Sequence, residues 1–155
     1  MSLIIALGSN IGDSRSNLTN AIKLLSNAFN SPVASSSVYT SSAVGVTDQP
    51  DFFNMVIEFK RPELDVEEIL QICLKIELEM GRIRLKRWGP RLIDIDVLYY
   101  GLETYRSESL EIPHPRIMER SFVVKPLQEL PYYKVLSQHF EFPTQFEIDA
   151  TITDK

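Results

Sequence analysis

Apolar and polar residues alternate along this chain in two rhythms, and each rhythm predicts a kind of element. Leu3 to Leu7 is a short apolar run that predicts a buried strand, broken by Gly8-Ser9-Asn10-Ile11-Gly12-Asp13. Leu18, Ala21, Ile22, Leu25, Ala28 and Phe29 then fall on one helical stripe, predicting a helix from Ser14 to Phe29 that Asn30-Ser31-Pro32 stops. Val33 to Tyr39 is β-branched and polar by turns and predicts a second strand, and Thr40 to Pro50 reads as a long Ser, Gly and Thr-rich loop. Phe52 to Phe59 predicts a third strand, with Phe53, Met55, Ile57 and Phe59 on one face and Phe52, Asn54, Val56 and Glu58 on the other. Asp65, followed three residues later by Glu68, marks a helix start. That helix turns Val66, Ile69, Leu70, Cys73, Ile76 and Met80 inward and ends near Gly81. Arg82 to Arg91 is a basic loop and Leu92 to Tyr100 a fourth strand. Pro113-His114-Pro115 is irregular, and a short helix from about Met118 to Glu129 is interrupted at Pro126. From Pro131 onward the signals are weak.

The order β-α-β-β-α-β predicts a ferredoxin-like α+β fold, an antiparallel sheet with both helices on one face and extra C-terminal elements. The 155 residues fit a single domain spanning 1–155. A hydrophobic fraction of 44% excludes disorder as the main state, and no apolar run reaches the ~18 residues of a membrane span. Lys and Arg total 16 against 21 Asp and Glu, so a net charge of −5 makes a general nucleic-acid binder a poor reading. The single cysteine, Cys73, sits in an apolar helical pattern, and no basic-then-apolar leader opens the chain. The expectation is a cytoplasmic protein, a monomer with a weak dimer as the alternative, with neither nucleic acid nor membrane as partner.

The chemistry concentrates around the fourth strand. Asp94 and Asp96 alternate with Ile93, Ile95 and Val97, so both carboxylates share a face, their Cα atoms roughly 6–7 Å apart. Carboxylate oxygens at that spacing suit hard cations. Alone the pair reads as the polar face of a half-exposed strand, but Asp is disfavoured in mid-strand and two need a counter-charge. Arg82, Arg84, Lys86, Arg87 and Arg91 supply five cations within ten residues. A solvated loop explains them equally well in isolation; beside the Asp pair they suit a metal-bound polyphosphate. Trp88, the only tryptophan, lies inside this loop and is either core or an aromatic lid. Glu77, one turn before the loop, most simply pairs with one of the arginines.

These segments resemble the 6-hydroxymethyl-7,8-dihydropterin pyrophosphokinases of folate biosynthesis. The resemblance runs through Gly8-Ser9-Asn10-Ile11-Gly12-Asp13, Asp48-Gln49-Pro50-Asp51-Phe52-Phe53-Asn54 and Glu77 to Arg84. It continues through Arg87-Trp88-Gly89-Pro90-Arg91-Leu92-Ile93-Asp94-Ile95-Asp96, Ile112-Pro113-His114-Pro115-Arg116 and Arg120-Ser121-Phe122-Val123. It covers about Leu3 to Leu130, and the stretch from Arg87 to Asp96 is long and specific. Such enzymes move the β,γ-pyrophosphoryl group of ATP to the hydroxymethyl of a reduced pterin and release AMP. The resemblance implies that Asp94 and Asp96 bind two Mg²⁺ ions, and that Arg82 and Arg91 contact the phosphates and stabilise the group in flight. It implies that Glu77, Arg84, Trp88, His114 and Arg120 serve the nucleotide. Phe52 and Phe122 would flank the pterin, Asn54 would bond its edge, Val44 would cap it, and Trp88 would close over both substrates.

The sequence departs from the family pattern at three places. Phe52 stands where many relatives have Tyr, and Leu74 where a Gln is frequent. Ser41-Ser42-Ala43-Val44-Gly45 replaces a Pro-rich lid. The competing classes are another Mg²⁺-dependent nucleotide enzyme and an RNA-binding module of the same topology; the aromatic strand motif of the latter is absent.

Overall fold

Everything in the sheet hangs on the first strand. β1 (Ser2–Ser9) is apolar on both faces, with Leu3, Ile4 and Ile5 fully buried, because it pairs antiparallel with a strand on each side. The structure, a computed structural model, describes residues 1–41, 51–81, 92–115, 121–143 and 151–152. After β1 come α1 (Ser14–Phe29), β2 (Ala34–Ser35), β3 (Tyr39–Ser41), β4 (Phe52–Lys60), α2 (Val66–Glu79) and β5 (Asp94–Tyr100). They are followed by β6 (Tyr105–Arg106), β7 (Glu111–Ile112), α3 (Ser121–Leu127), α4 (Tyr133–His139) and β8 (Thr151–Ile152). The sheet runs β5-β1-β4-β3-β8, with β2 also on β4, and every pairing is antiparallel. Within the βαββαβ core the fourth strand therefore lies beside the first, then the third, then the second, which is the ferredoxin-like order expected.

Helices α1 and α2 cover one face. Leu18, Ala21, Leu25 and Phe29 of α1 and Val66, Ile69, Cys73 and Ile76 of α2 close on Leu3, Ile5, Leu7, Met55, Ile57, Phe59, Ile95 and Val97. Ala28 is exposed and Leu70 only half-buried, so each expected stripe is narrower than its apolar residues. Asp13 caps α1 by accepting from the Ser16 amide at 3.1 Å, and Gly12 takes the left-handed φ of +69° that the turn before it requires. Asp65 and Glu68 form the expected capping box on α2, each side chain accepting the other's amide at 2.9 and 3.1 Å. The β6–β7 hairpin, absent from the sequence reading, is tied to α2 through Tyr105, Ser107 and Ser109, whose hydroxyls all donate to Glu67.

The C-terminal elements cover part of the opposite face. Val123, Val124, Leu127, Leu130, Tyr132 and Leu136 pack on Ile4, Val56, Leu98 and Tyr99. Glu58, buried on this face, locks the layer down: Ser2 Oγ donates to Oε2 at 2.9 Å and the Tyr132 amide to Oε1 at 3.0 Å.

Three boundaries differ from expectation. The strand expected over Val33–Tyr39 is two short strands, because Ser36 bonds β4 through its side chain. Its hydroxyl accepts from the Val56 amide at 2.9 Å and donates to the Ser37 carbonyl. The helix expected over 118–129 is α3, Ser121–Leu127, with residues 116–120 outside the described ones, and α4 follows in the stretch left open. β5 begins at Asp94 rather than Leu92 and carries a bulge. Ile5 pairs with Val97 but Ile4 with Tyr99, so Leu98 is extra and both Leu98 and Tyr99 face the C-terminal layer.

Asp65→Ala should lower stability by about 1 kcal/mol, the usual worth of a helix cap. A urea unfolding curve should show a lower midpoint with an unchanged slope.

Candidate active site

Beyond Ile4 and Val56 the second face changes character. β1 presents Ala6 and then Gly8, β4 presents Asn54 and then Phe52, and β5 presents Asp96 and then Asp94. Ala6 pairs with Asp96 on one side and Val56 on the other; Gly8 pairs with Asp94 and Asn54. At the level of Gly8 the three strands thus set Asn54 and Asp94 on either side of a residue with no side chain, two strand spacings or ~10 Å apart. A Cβ built on Gly8 would lie 3.1 Å from Asn54 Oδ1 and 3.9 Å from the Phe52 ring, so a side chain there would push the Asn54 amide aside by a few tenths of an ångström. Asp94, Asp96, Ala6 and Phe52 are half-buried, and Asn54 is buried, its amide donating to the Phe52 carbonyl at 3.4 Å. The carboxylate pair therefore shares one face, and Ile95 and Val97 go under α1 and α2, as the alternation predicts.

The rim of this trough is built by the β1–α1 turn. Asn17 Nδ2 donates to Ser9 Oγ at 3.1 Å and to the Ile11 carbonyl at 2.9 Å, and Ser9 Oγ donates to Ser14 Oγ at 3.3 Å. On the outer side of β5 the chain supplies its own partners. Glu77, 5% exposed on α2, accepts from the Ile95 amide at 2.8 Å, and the His114 amide donates to the Leu98 carbonyl at 3.2 Å. His114 is half-buried against the same strand as the Asp pair. Glu77 thus has a positioning task that the arginine pairing expected from sequence did not include: it holds the start of the carboxylate strand. The signal was present, since Glu77 follows Cys73 at i+4 on the buried stripe of α2. Cys73 itself lies too deep for reaction. Burial pushes its thiol up to about 12, and the charges on Glu77 and Asp96 add to the shift.

Of the other residues named from sequence, Val44, Arg82, Arg84, Trp88, Arg91 and Arg120 lie outside the described residues. Phe122 falls in the first turn of α3. Among the described residues no group of three or more His, Cys, Asp and Glu side chains converges as a closed metal cage. Two carboxylates beside Ala6 and Gly8 nevertheless fit Mg²⁺. That ion takes one or two protein carboxylates and completes its octahedron with waters and substrate phosphates.

Comparison with known proteins shows the family. Residues 4–132 match the family described as 7,8-dihydro-6-hydroxymethylpterin-pyrophosphokinase. The chain is 45% identical over 127 residues to 2-amino-4-hydroxy-6-hydroxymethyldihydropteridine pyrophosphokinase of Bacillus subtilis, covering 81% of this chain and 75% of that one. Its counterpart in Haemophilus influenzae is 42% identical, with 81% and 79% covered. The mitochondrial folate synthesis bifunctional protein of Pisum sativum is 41% identical over 83% of this chain but only 25% of its own length. A crystal structure of HPPK-DHPS in complex with substrates superposes on 93% of this chain and 33% of its own with a TM-score of 0.54. At 13% identity that likeness shows the fold alone. The class is therefore that of the pyrophosphokinases, transferases built on a ferredoxin-like sheet. Within it, the chain belongs to the 7,8-dihydro-6-hydroxymethylpterin-pyrophosphokinase family.

Removing the Glu77 carboxylate with Glu77→Ala should leave the Ile95 amide buried without this acceptor, at a cost of about 1–3 kcal/mol. Hydrogen exchange should show the Ile95 amide losing protection more than those at the centre of β1.

Proposed function

We propose that the protein transfers the β,γ-pyrophosphoryl group of ATP to the hydroxymethyl of 6-hydroxymethyl-7,8-dihydropterin, releasing AMP, in folate biosynthesis. The observation that carries this is the line Asn54–Gly8–Asp94 across three strands, in a chain of this family. It separates an amide that can read the edge of a flat heterocycle from a carboxylate pair that suits a metal-bound phosphate chain. The substrate hydroxyl attacks the β-phosphorus, the bond from that phosphorus to the α,β-bridging oxygen breaks, and the hydroxyl proton passes to solvent. Such a transfer needs alignment and charge neutralisation more than covalent help.

In this reading Asp94 and Asp96 would hold two Mg²⁺ ions, which would supply charge neutralisation for the phosphate chain. Asn54 orients the pterin by its edge, Phe52 and Phe122 stack on its faces, and Val44 caps it. Arg82 and Arg91 contact the phosphates and stabilise charge on the group in flight. Arg84, His114 and Arg120 serve the nucleotide. Trp88 closes over both substrates and excludes water. Glu77 acts through β5, keeping Asp94 and Asp96 in register. We further read residues 1–155 as one domain, a monomer in the cytoplasm with a weak dimer as the alternative; among the described residues no helix is long and apolar enough to cross a membrane. Neither the RNA-binding reading nor a nucleotidyl-transferring one gains support from the relatives found.

Incubation with ATP, Mg²⁺ and the reduced pterin should release AMP; release of inorganic pyrophosphate instead would overturn the reading. Asp94→Asn and Asp96→Asn should each lower turnover at least about a hundredfold while the protein stays folded. Near-normal turnover of either variant at ordinary Mg²⁺ would remove the metal assignment. Gly8→Ala should raise the pterin KM several-fold with little change in melting temperature, since only a flexible side chain has to give way.

A further inference from the structure

One carboxylate bridges the two elements that form the walls of the pterin side, and nothing in the mechanism above uses it. Glu129 follows α3 in a tight turn, its amide donating to the Pro126 carbonyl at 3.1 Å. Its Oε1 accepts from the Ser37 amide at 2.8 Å and its Oε2 from the Tyr39 hydroxyl at 2.5 Å. Both donors lie some ninety residues earlier in the chain. Ser37 immediately precedes Val38 and β3, and Tyr39 begins that strand. β3 pairs with β4 at Tyr39–Asn54, Thr40–Phe53 and Ser41–Phe52. The strand that Glu129 grips is therefore the one that sets Asn54 and Phe52 in place. The element that Glu129 terminates is α3, whose first turn carries Phe122.

We propose that Glu129 is a positioning residue for the pterin, a clamp that fixes the spacing between the Phe122 helix and the Asn54–Phe52 strand. The inference rests on the pterin site proposed above and deepens it. Two features separate this role from general stability. The layer holding α3 to the sheet is apolar, with Val124 and Leu127 fully buried, and does not depend on the exposed Glu129. The carboxylate also reaches only the entry to β3, far from the Asp94–Asp96 strand across β4 and β1. Burial, and next the bond to Glu129, hold the Tyr39 phenol above its ordinary value, so it remains a donor throughout the working pH range.

The test compares Glu129→Gln and Tyr39→Phe with the unaltered protein. Glutamine keeps one acceptor oxygen for the Ser37 amide and turns its NH₂ to the Tyr39 hydroxyl, so two charge-assisted bonds become weaker neutral ones. Glu129→Gln should raise the pterin KM about five- to tenfold, with kcat at saturating pterin within twofold. Calorimetric affinity for a non-hydrolysable ATP analogue in the absence of pterin should be unchanged. Tyr39→Phe should raise the pterin KM by a smaller factor, and adding it to Glu129→Gln should cost less than its effect alone. A pterin KM within twofold of the unaltered protein in Glu129→Gln overturns the proposal. So do equal losses of pterin and nucleotide affinity accompanied by a lower melting temperature, the signature of a merely structural role. If Glu129→Gln does not fold, Tyr39→Phe decides alone, and an unchanged pterin KM there refutes the clamp. Failure of the unaltered protein to make AMP overturns the site reading and the clamp with it. A working protein with an indifferent Glu129→Gln overturns the clamp only.

Discussion

The double-sided burial of β1 is the constraint on which the rest of the molecule depends. A strand paired on both edges and covered on both faces must be apolar throughout, and Ser2–Ser9 is so for most of its length. The face under α1 and α2 keeps large residues to the end, Leu3, Ile5 and Leu7. The other face tapers from Ile4 to Ala6 to Gly8. That taper determines where the C-terminal layer packs and where it leaves room. Helix α3 rests at the Ile4 end because there is something to bury against; the Gly8 end lacks bulk, and there the flanking strands carry polar side chains on either side of it. Core and site are thus two ends of one gradient in side-chain volume.

Much of this was legible in the sequence because it follows from local periodicity. The alternation through Phe52–Phe59 and Ile93–Val97 assigns faces correctly, and the Asp65–Glu68 box places α2. The shared face of Asp94 and Asp96 needed nothing beyond a period of two. What escaped depends on partners distant in sequence. Ser36 breaks the second strand because its hydroxyl finds the Val56 amide, and the Leu98 bulge arises from matching β1 rather than from any pattern within β5. The β6–β7 hairpin and α4 are short, and short elements carry too few residues to show a rhythm. The part of Glu77 as the acceptor for Ile95 was not readable, since propensity says nothing about which amide a buried carboxylate will meet.

Besides the helix caps, three carboxylates among the described residues accept backbone amides distant in sequence. Glu58 takes the Tyr132 amide, Glu77 the Ile95 amide and Glu129 the Ser37 amide. Each ends a run of backbone hydrogen bonding where no strand or helix continues. Each lies at a junction: C-terminal layer to sheet, α2 to β5, and α3 to β3. A charged acceptor makes a stronger bond than a neutral one, which suits a place where a single contact must do the work of a ladder. Counting such residues as surface charge would misjudge both the solubility and the architecture of the protein.

The Leu98 bulge has a consequence for how the chain can change over time. Because the phase of β5 slips there, the segment before it obeys one alternation and the segment after it another. The reading frame of side chains that governs Asp94 and Asp96 is therefore uncoupled from the frame that seats Leu98, Tyr99 and Tyr100. Insertions or losses at the hairpin end of the strand meet a slack residue before they reach the carboxylates. The bulge acts as an expansion joint, so a shift in the outer half of the strand need not change the phase of the carboxylates at its other end.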